Sequence, residues 1–220
     1  MELTMITAHS GCDGTPDNSP EFIAHALTCG ADAFEVDVRS RPDGTLYLSH
    51  DEGGGDALSL DRVFAGMAGS SMRVNCDLKQ PGIELAVLAL ARARGVADRL
   101  LFSGSVSMEL MAREPEIRSR TLLNVRPILP DPARTEADLD AELDRLLLVC
   151  RQCGASVINV PYGMCTGPVL DRLEEAGIGV SAWTVNDEDT AARLLERRIR
   201  NITSRRPGMV LALRLSLIHI

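Results

Sequence analysis

The side chains best able to do chemistry in this sequence stand where short apolar runs end. His9 follows "ITA", Glu35 and Asp37 lie two apart in "FEVDV", and His50 and Asp51 follow "LYLS". Asp77 and Lys79 lie two apart in "VNCDLK", and Trp183 begins "WTVND". Read as strands, these runs put residues two apart on one face, so Glu35 and Asp37 point together while Phe34, Val36 and Val38 point the other way. A lone carboxylate at such a place serves as a cap or salt-bridge partner as readily as a ligand. Three on adjacent strands repel one another, and Lys79 offsets only part of that charge. One divalent cation held by oxygen ligands, Mg²⁺ or Ca²⁺ rather than zinc, is the expected counterweight.

His9 and His50 suit an acid/base pair, because an imidazole titrating near about 6.5 exchanges protons close to neutrality. A cation and Lys79 can neutralise phosphoryl oxygens while one histidine activates an attacking oxygen and the other protonates a leaving alcohol. Which histidine takes which part is not legible. The residues by themselves lead to metal-assisted phosphoester chemistry and stop there.

The elements that must position these groups alternate in type. Strands are predicted at Thr4–Ala8, Ala33–Val38, Leu46–Ser49, Arg73–Leu78, Arg99–Phe102, Thr121–Val125, Ser156–Asn159, Gly179–Trp183 and Asn201–Thr203. Between them, "SPEFIAHALTCG" places Phe22, Ile23, Ala26 and Leu27 on one helical face, with Ser19 as N-cap and Gly30 as stop. A second helix over residues 131–154 has Thr135 as cap, Leu139, Leu143, Leu146 and Leu147 on one face, and Gly154 as stop. "GIELAVLALARARG" and "DEDTAARLLERR" fill further slots, with weaker patterns over 60–70, 105–114 and 166–176. About eight alternations in this length predict an α/β fold, a single-domain (β/α)8 TIM barrel, whose chemistry belongs at the C-terminal strand ends.

Composition narrows the partners. The 220 residues are 45% hydrophobic, enough for one substantial core, and carry a net charge of −8 without a basic stripe interleaved with aromatics. Nucleic-acid binding is therefore not expected, and a small-molecule phosphodiester is the expected substrate. "MELTMITAHS" lacks a basic region followed by an apolar one, and no run approaches the roughly 20 apolar residues of a membrane span, so a cytoplasmic location without stable membrane insertion is expected. Oligomeric state is not legible. Reduced thiols are expected for the six cysteines, including the Cys150–Cys153 CxxC pair near a helix end. His25, inside the first helix, is expected at the surface or an edge.

"AHSGCDGTPDNS", "GADAFEVDVRSRPDGTLYLSHD", "VNCDLK", "AWTVND" and "NITSRRP" together resemble the signatures of the glycerophosphodiester phosphodiesterases. The resemblance runs from about Ile6 to Leu213. It implies a (β/α)8 barrel that hydrolyses glycerophosphodiesters to a glycerol phosphate and an alcohol. His9 and His50 then match the catalytic pair, and Glu35, Asp37 and Asp77 the metal ligands. Lys79 matches the phosphate-side lysine and Trp183 the aromatic wall, with Ser10 and Asn18 as further substrate-side positions. Asp17, Asn18 and Ser19 form the turn into the first helix, where capping is the expected task of Asn18 and a lean toward the site a second one.

The sequence departs from that pattern at several points. His9-Ser10-Gly11 replaces His-Arg-Gly, removing an arginine expected to grip phosphate; Arg39 and Arg126 are the candidates to replace it, otherwise surface ion-pair residues. Asp77 stands where glutamate is usual, one methylene shorter. After His50-Asp51 the glycine-rich "EGGGDALSL" is shorter than the family's segment, predicting a mobile, more open rim. "RLSLIHI", which contains His219, matches nothing, so the barrel is assigned to 1–214 and 215–220 to a tail that packs on an edge or is foreign to the protein. The competing readings are a lyase releasing a cyclic phosphate and a phosphodiester-binding barrel with little or no turnover. A sugar-phosphate isomerase fits poorly, because neither "VNDEDT" nor "SRRPGM" forms a glycine-rich phosphate loop.

Overall fold

Alternation within each strand separates two environments. Phe34, Val36, Val38, Val74 and Cys76 are fully buried on the outward side, under the helices, while the intervening positions of the same strands carry Glu35, Asp37, Asn75 and Asp77 inward. The computed structural model describes residues 3–53, 55–125 and 136–218. Its strands are β1 (Met5–Ala8), β2 (Ala33–Ser40), β3 (Leu46–Leu48), β4 (Arg73–Leu78), β5 (Leu100–Gly104), β6 (Leu123–Asn124), β7 (Val157–Pro161), β8 (Gly179–Trp183) and β9 (Asn201–Ser204). Eight of them lie parallel in the order β5-β4-β2-β1-β9-β8-β7-β6, and β3 folds back antiparallel on β2. The ring is nearly closed by one bridge: the Phe102 amide donates to the Arg120 carbonyl (2.9 Å), and the Leu122 amide donates to the Phe102 carbonyl (2.8 Å). The result is the predicted single-domain (β/α)8 barrel.

Helices α1 (Pro20–Ala26), α2 (Leu60–Gly66), α3 (Glu84–Ala93), α4 (Met108–Arg113), α5 (Pro115–Arg118), α6 (Glu136–Cys153), α7 (Gly167–Glu175), α8 (Glu188–Glu196) and α9 (Pro207–Ile218) cover the outside. Their starts are chemically marked. Ser19, Ser59, Ser107 and Asp187 each accept, through the side chain, the amide three residues on, a cap worth about 1 kcal/mol each. Thr135 and Arg126 lie outside the described residues, as does His219. Two elements escape the sequence pattern. Helix α5 is a single turn, and α9 is apolar almost throughout, so it has no polar face by which a helical period could be recognised. Helix α9 is nonetheless tied to the barrel floor, because the Arg214 guanidinium donates to the Thr4 carbonyl (2.8 Å) and pairs with Asp32.

Inside the barrel, one half carries a chain of uncharged polar side chains in strand register. Asn124, Asn159, Ser181 and Asn201 pair across β6, β7, β8 and β9. Asn159 donates to Asn124 (2.7 Å), Ser181 to Asn159 (2.8 Å) and Asn201 to Ser181 (2.8 Å), and Thr7 of β1 donates to Asn201 (2.7 Å). Each buried group thus finds a partner, which is the condition for polar residues in an interior. No helix among the described residues is long and apolar enough to cross a membrane.

Phe34 and Phe22 are both fully buried and meet edge to face, ring centroids 6.4 Å apart, locking α1 to β2. Truncating Phe34 to alanine leaves a cavity under α1 and is expected to cost about 3–5 kcal/mol in urea unfolding. A cost below about 1 kcal/mol would show that this contact does not fix α1.

Candidate active site

Strand register builds the site before any side chain does. Pairing of β2 with β4 sets Asp37 beside Asp77 and Glu35 beside Asn75, and pairing of β4 with β5 sets Asp77 beside Ser103. Like charges directly abreast on neighbouring strands repel. Lys79, two residues beyond Asp77 and on the same face, answers this. Its ammonium lies 2.9 Å from Asp37 Oδ1 and in direct contact with Asp77 Oδ2. Burial alone would lower the lysine pKa, but the Asp77 and Asp37 charges outweigh it and hold the ammonium firmly protonated.

Among the described residues no lysine or arginine is in direct contact with Glu35, and the Lys79 charge acts on it only from a distance. Burial first, then the Asp77 and Asp37 charges, push its carboxyl well above the usual carboxylate range, although Asn75 donates to Oε2 (3.0 Å). Asn75 also donates to the Ser103 hydroxyl (2.9 Å), which donates in turn to Asp77 Oδ1 (2.7 Å). This half of the interior is therefore charged where the other half is neutral.

His9 stands at the end of β1 with Nδ1 2.7 Å from the Ser10 carbonyl. A carbonyl only accepts, so Nδ1 carries the hydrogen and the lone pair of the neutral ring sits on Nε2, 3.7 Å from Glu35 Oε1. Burial, opposed by the Ser10 bond and reinforced by the Arg205 charge, lowers the His9 pKa. His50 lies on the rim beyond β3, its side chain 68% exposed, with Nδ1 2.9 Å from Asp51 Oδ1. The two imidazoles therefore face one cavity from contrasting surroundings.

That cavity, of about 520 Å³, is lined by His9, Glu35, Asp37, His50, Asp77, Lys79 and Trp183 together with five residues the sequence reading did not assign to the site, Asp17, Asn124, Asn159, Thr184 and Arg205. The indole N–H of Trp183 is buried without a hydrogen-bond partner among the described residues. Arg205 directly follows β9, so the strand-end rule that marks His9 and Trp183 marks it equally. Its partner is remote in sequence, since both guanidinium Nη atoms lie 2.8 Å from the carboxylate of Asp17, 188 residues away.

Ser10 and Asn18 do not line the cavity. Ser10 is fully buried, and its hydroxyl accepts the Asn18 amide (2.8 Å). The expectation that Asn18 caps the first helix is corrected: Ser19 holds the capping bond, while Asn18 turns into the left-handed region (φ 56°), which asparagine tolerates. From there its amide donates to Asp37 Oδ2 (2.7 Å) and its carbonyl accepts the Asp37 amide (3.0 Å). Arg39 does not reach the cavity wall either. It donates through Nε and Nη2 to the His50 carbonyl (3.3 and 3.0 Å) and so braces the loop that carries His50.

Three carboxylates of hard oxygen character, one of them driven toward protonation by burial and then by the other two, are chemically suited to a divalent cation. Among the described residues, the group of three His, Cys, Asp or Glu ligand atoms lying within 4.8 Å of one another is a different one: Cys12, Asp13 and His25. Lys79 stands between Asp37 and Asp77. At the other group, His25 Nε2 is 2.8 Å from Asp13, and the Cys12 thiol is pushed up to about 12, by burial and then by Asp13. All six cysteines are free thiols, and Cys150 and Cys153 are buried in α6.

No family model matches the chain. A glycerophosphodiester phosphodiesterase of Bacillus altitudinis is 45% identical over 51 residues, a stretch that spans 23% of this chain and 21% of that protein. Solved structures align over nearly the whole length. A glycerophosphodiester phosphodiesterase from Agrobacterium tumefaciens superposes with a TM-score of 0.69 at 21% identity, covering 96% of this chain and 100% of that one. A phosphodiesterase from Oleispira antarctica, in complex with the product sn-glycerol-3-phosphate, superposes with a TM-score of 0.71 at 18% identity, covering 96% of each chain. The fold that the sequence motifs implied is thus the fold of solved glycerophosphodiester phosphodiesterases.

Proposed function

We propose that the protein hydrolyses phosphodiesters of the glycerophosphodiester class to a glycerol phosphate and an alcohol, with Glu35, Asp37 and Asp77 holding one Mg²⁺ or Ca²⁺. The observation that carries this reading is the gathering of two histidines, three carboxylates, a lysine and a tryptophan around one cavity at the C-terminal ends of the strands. The product seen in the Oleispira antarctica phosphodiesterase, on the same fold, supports the substrate class. When bound, the cation would neutralise charge on the phosphoryl oxygens.

The chain's own groups supply the rest. His9, with its lone pair on Nε2, takes a proton from the attacking water as the new oxygen–phosphorus bond forms. Protonated His50, on the open rim, gives a proton to the alcohol oxygen as the old bond breaks. Lys79, at the cavity wall between Asp37 and Asp77, would present positive charge to the phosphoryl group. Trp183 offers its unpartnered N–H to a substrate oxygen and its ring to the glycerol carbons.

Turnover of glycerophosphocholine, followed by phosphorus NMR, is expected with Mg²⁺ or Ca²⁺ and not with EDTA. His9→Ala and His50→Ala are each expected to lower kcat about 10²–10⁴-fold. A folded wild type without metal-dependent turnover would contradict the reading, and a cyclic phosphate product would replace hydrolase with lyase. Trp183→Phe keeps the ring and removes the N–H. It is expected to raise KM about 5- to 30-fold, with thermal stability unchanged or slightly higher because a buried unpaired donor is gone. An unchanged KM would remove Trp183 from the substrate contacts.

A further inference from the structure

Lys79 and Arg205 are the lysine and arginine of the cavity wall, against the carboxylates of Asp17, Glu35, Asp37 and Asp77. Lys79 is committed between Asp37 and Asp77. The Arg205 guanidinium is committed along one edge. Nη1 and Nη2 meet the two oxygens of Asp17 end-on, both at 2.8 Å, and Nη1 also donates to the Gly11 carbonyl (3.3 Å). A guanidinium has five N–H groups in a rigid plane. The two left over, on Nε and on Nη2, lie side by side along the adjacent edge and have no partner among the described residues. Two parallel donors in that spacing match two oxygens of a phosphate.

The rest of the neighbourhood is shaped around this ion pair. A Cβ on Gly11 (φ 72°) would lie 1.9 Å from Asp17 Oδ1 and 2.8 Å from Arg205 Nη1, so the pair fills space that only glycine leaves open. The Arg205 backbone is pinned on both sides: its amide donates to Asn186 Oδ1 (2.9 Å), and its carbonyl accepts the Asp13 amide (2.8 Å). Other groups that could take the same task are turned elsewhere, with Ser10 on the Asn18 amide and Arg39 on the His50 carbonyl.

We infer that Arg205, oriented by Asp17 across Gly11, is the residue that grips the phosphate of the substrate through the free Nε/Nη2 edge of its guanidinium. The inference rests on the phosphodiester reading above and adds to it the anchor for the anion. Arg205 is a binding residue rather than a proton donor or acceptor, so its loss should appear in affinity more than in the chemical step.

The test compares wild type with Arg205→Gln and Arg205→Lys, in the presence of Mg²⁺ or Ca²⁺. It measures KM and kcat for glycerophosphocholine, calorimetric affinity for sn-glycerol 3-phosphate, and melting temperature. The glutamine variant is expected to bind sn-glycerol 3-phosphate about 10- to 100-fold more weakly, with KM raised more than kcat is lowered. The lysine variant keeps a charge for Asp17 but has no side edge, and is expected to recover stability and only part of the affinity. It decides the matter if the glutamine variant does not fold. A wild type that turns over the diester and binds the phosphate, beside folded variants that do both equally well, overturns the assignment of Arg205 alone. A wild type that does neither overturns the phosphodiester reading itself, and this inference with it.

Discussion

Two aspartates held abreast by strand register constrain everything else at this barrel mouth. Asp37 and Asp77 are partners in the β2–β4 ladder and cannot move apart without breaking it. Coulomb repulsion between them is large in a partly buried site. Lys79 relieves it by bridging both, and Ser103 and Asn18 satisfy the oxygens that remain. Glu35 sits one inward-facing position deeper on β2, with Asn75 and the His9 imidazole as its direct partners, and burial together with the Asp77 and Asp37 charges pushes it toward the protonated form. A site with this excess of carboxylate is arranged to welcome positive charge.

Rigid elements carry the groups whose placement matters most. His9, Glu35, Asp37, Asp77 and Trp183 lie on strands or directly at their ends, and the strands are tied through the interior by the Asn124–Asn159–Ser181–Asn201–Thr7 chain of hydrogen bonds. Such support fixes ring orientation and tautomer, as the Ser10 carbonyl does for His9. His50 stands apart on an exposed loop braced by Arg39. In its proposed role as proton donor to leaving groups of different shapes, His50 is better served by that openness than by burial.

The charged half of the site was legible because period-two spacing in "FEVDV" and "VNCDLK" places polar groups on a buried face, where each needs a reason. The neutral half was equally present in "VINVP", "GVSAW" and "NITS". Single uncharged polar residues in apolar runs draw less notice, and only the register shows them as one chain. The Asp17–Arg205 pair was hidden for another reason: Asp17 looks like a loop residue, and Arg205, although it follows β9, finds that partner only when the barrel closes and brings β1 beside β9. Asn18 misled because Asx residues before a helix usually cap it, whereas here Ser19 already does. Helix α9 gave no period to read, since it is apolar on nearly every side.

The proposed function stands on one divalent cation held by the Glu35, Asp37 and Asp77 carboxylates. Calorimetric titration of Mg²⁺ and of Ca²⁺ into metal-free wild type, Glu35→Gln, Asp77→Asn and Cys12→Ser addresses it most directly. One site is expected in the wild type and in Cys12→Ser, lost or greatly weakened in the two carboxylate variants. Binding that survives in both carboxylate variants and disappears in Cys12→Ser would move the cation to the Cys12, Asp13 and His25 group and contradict the claim.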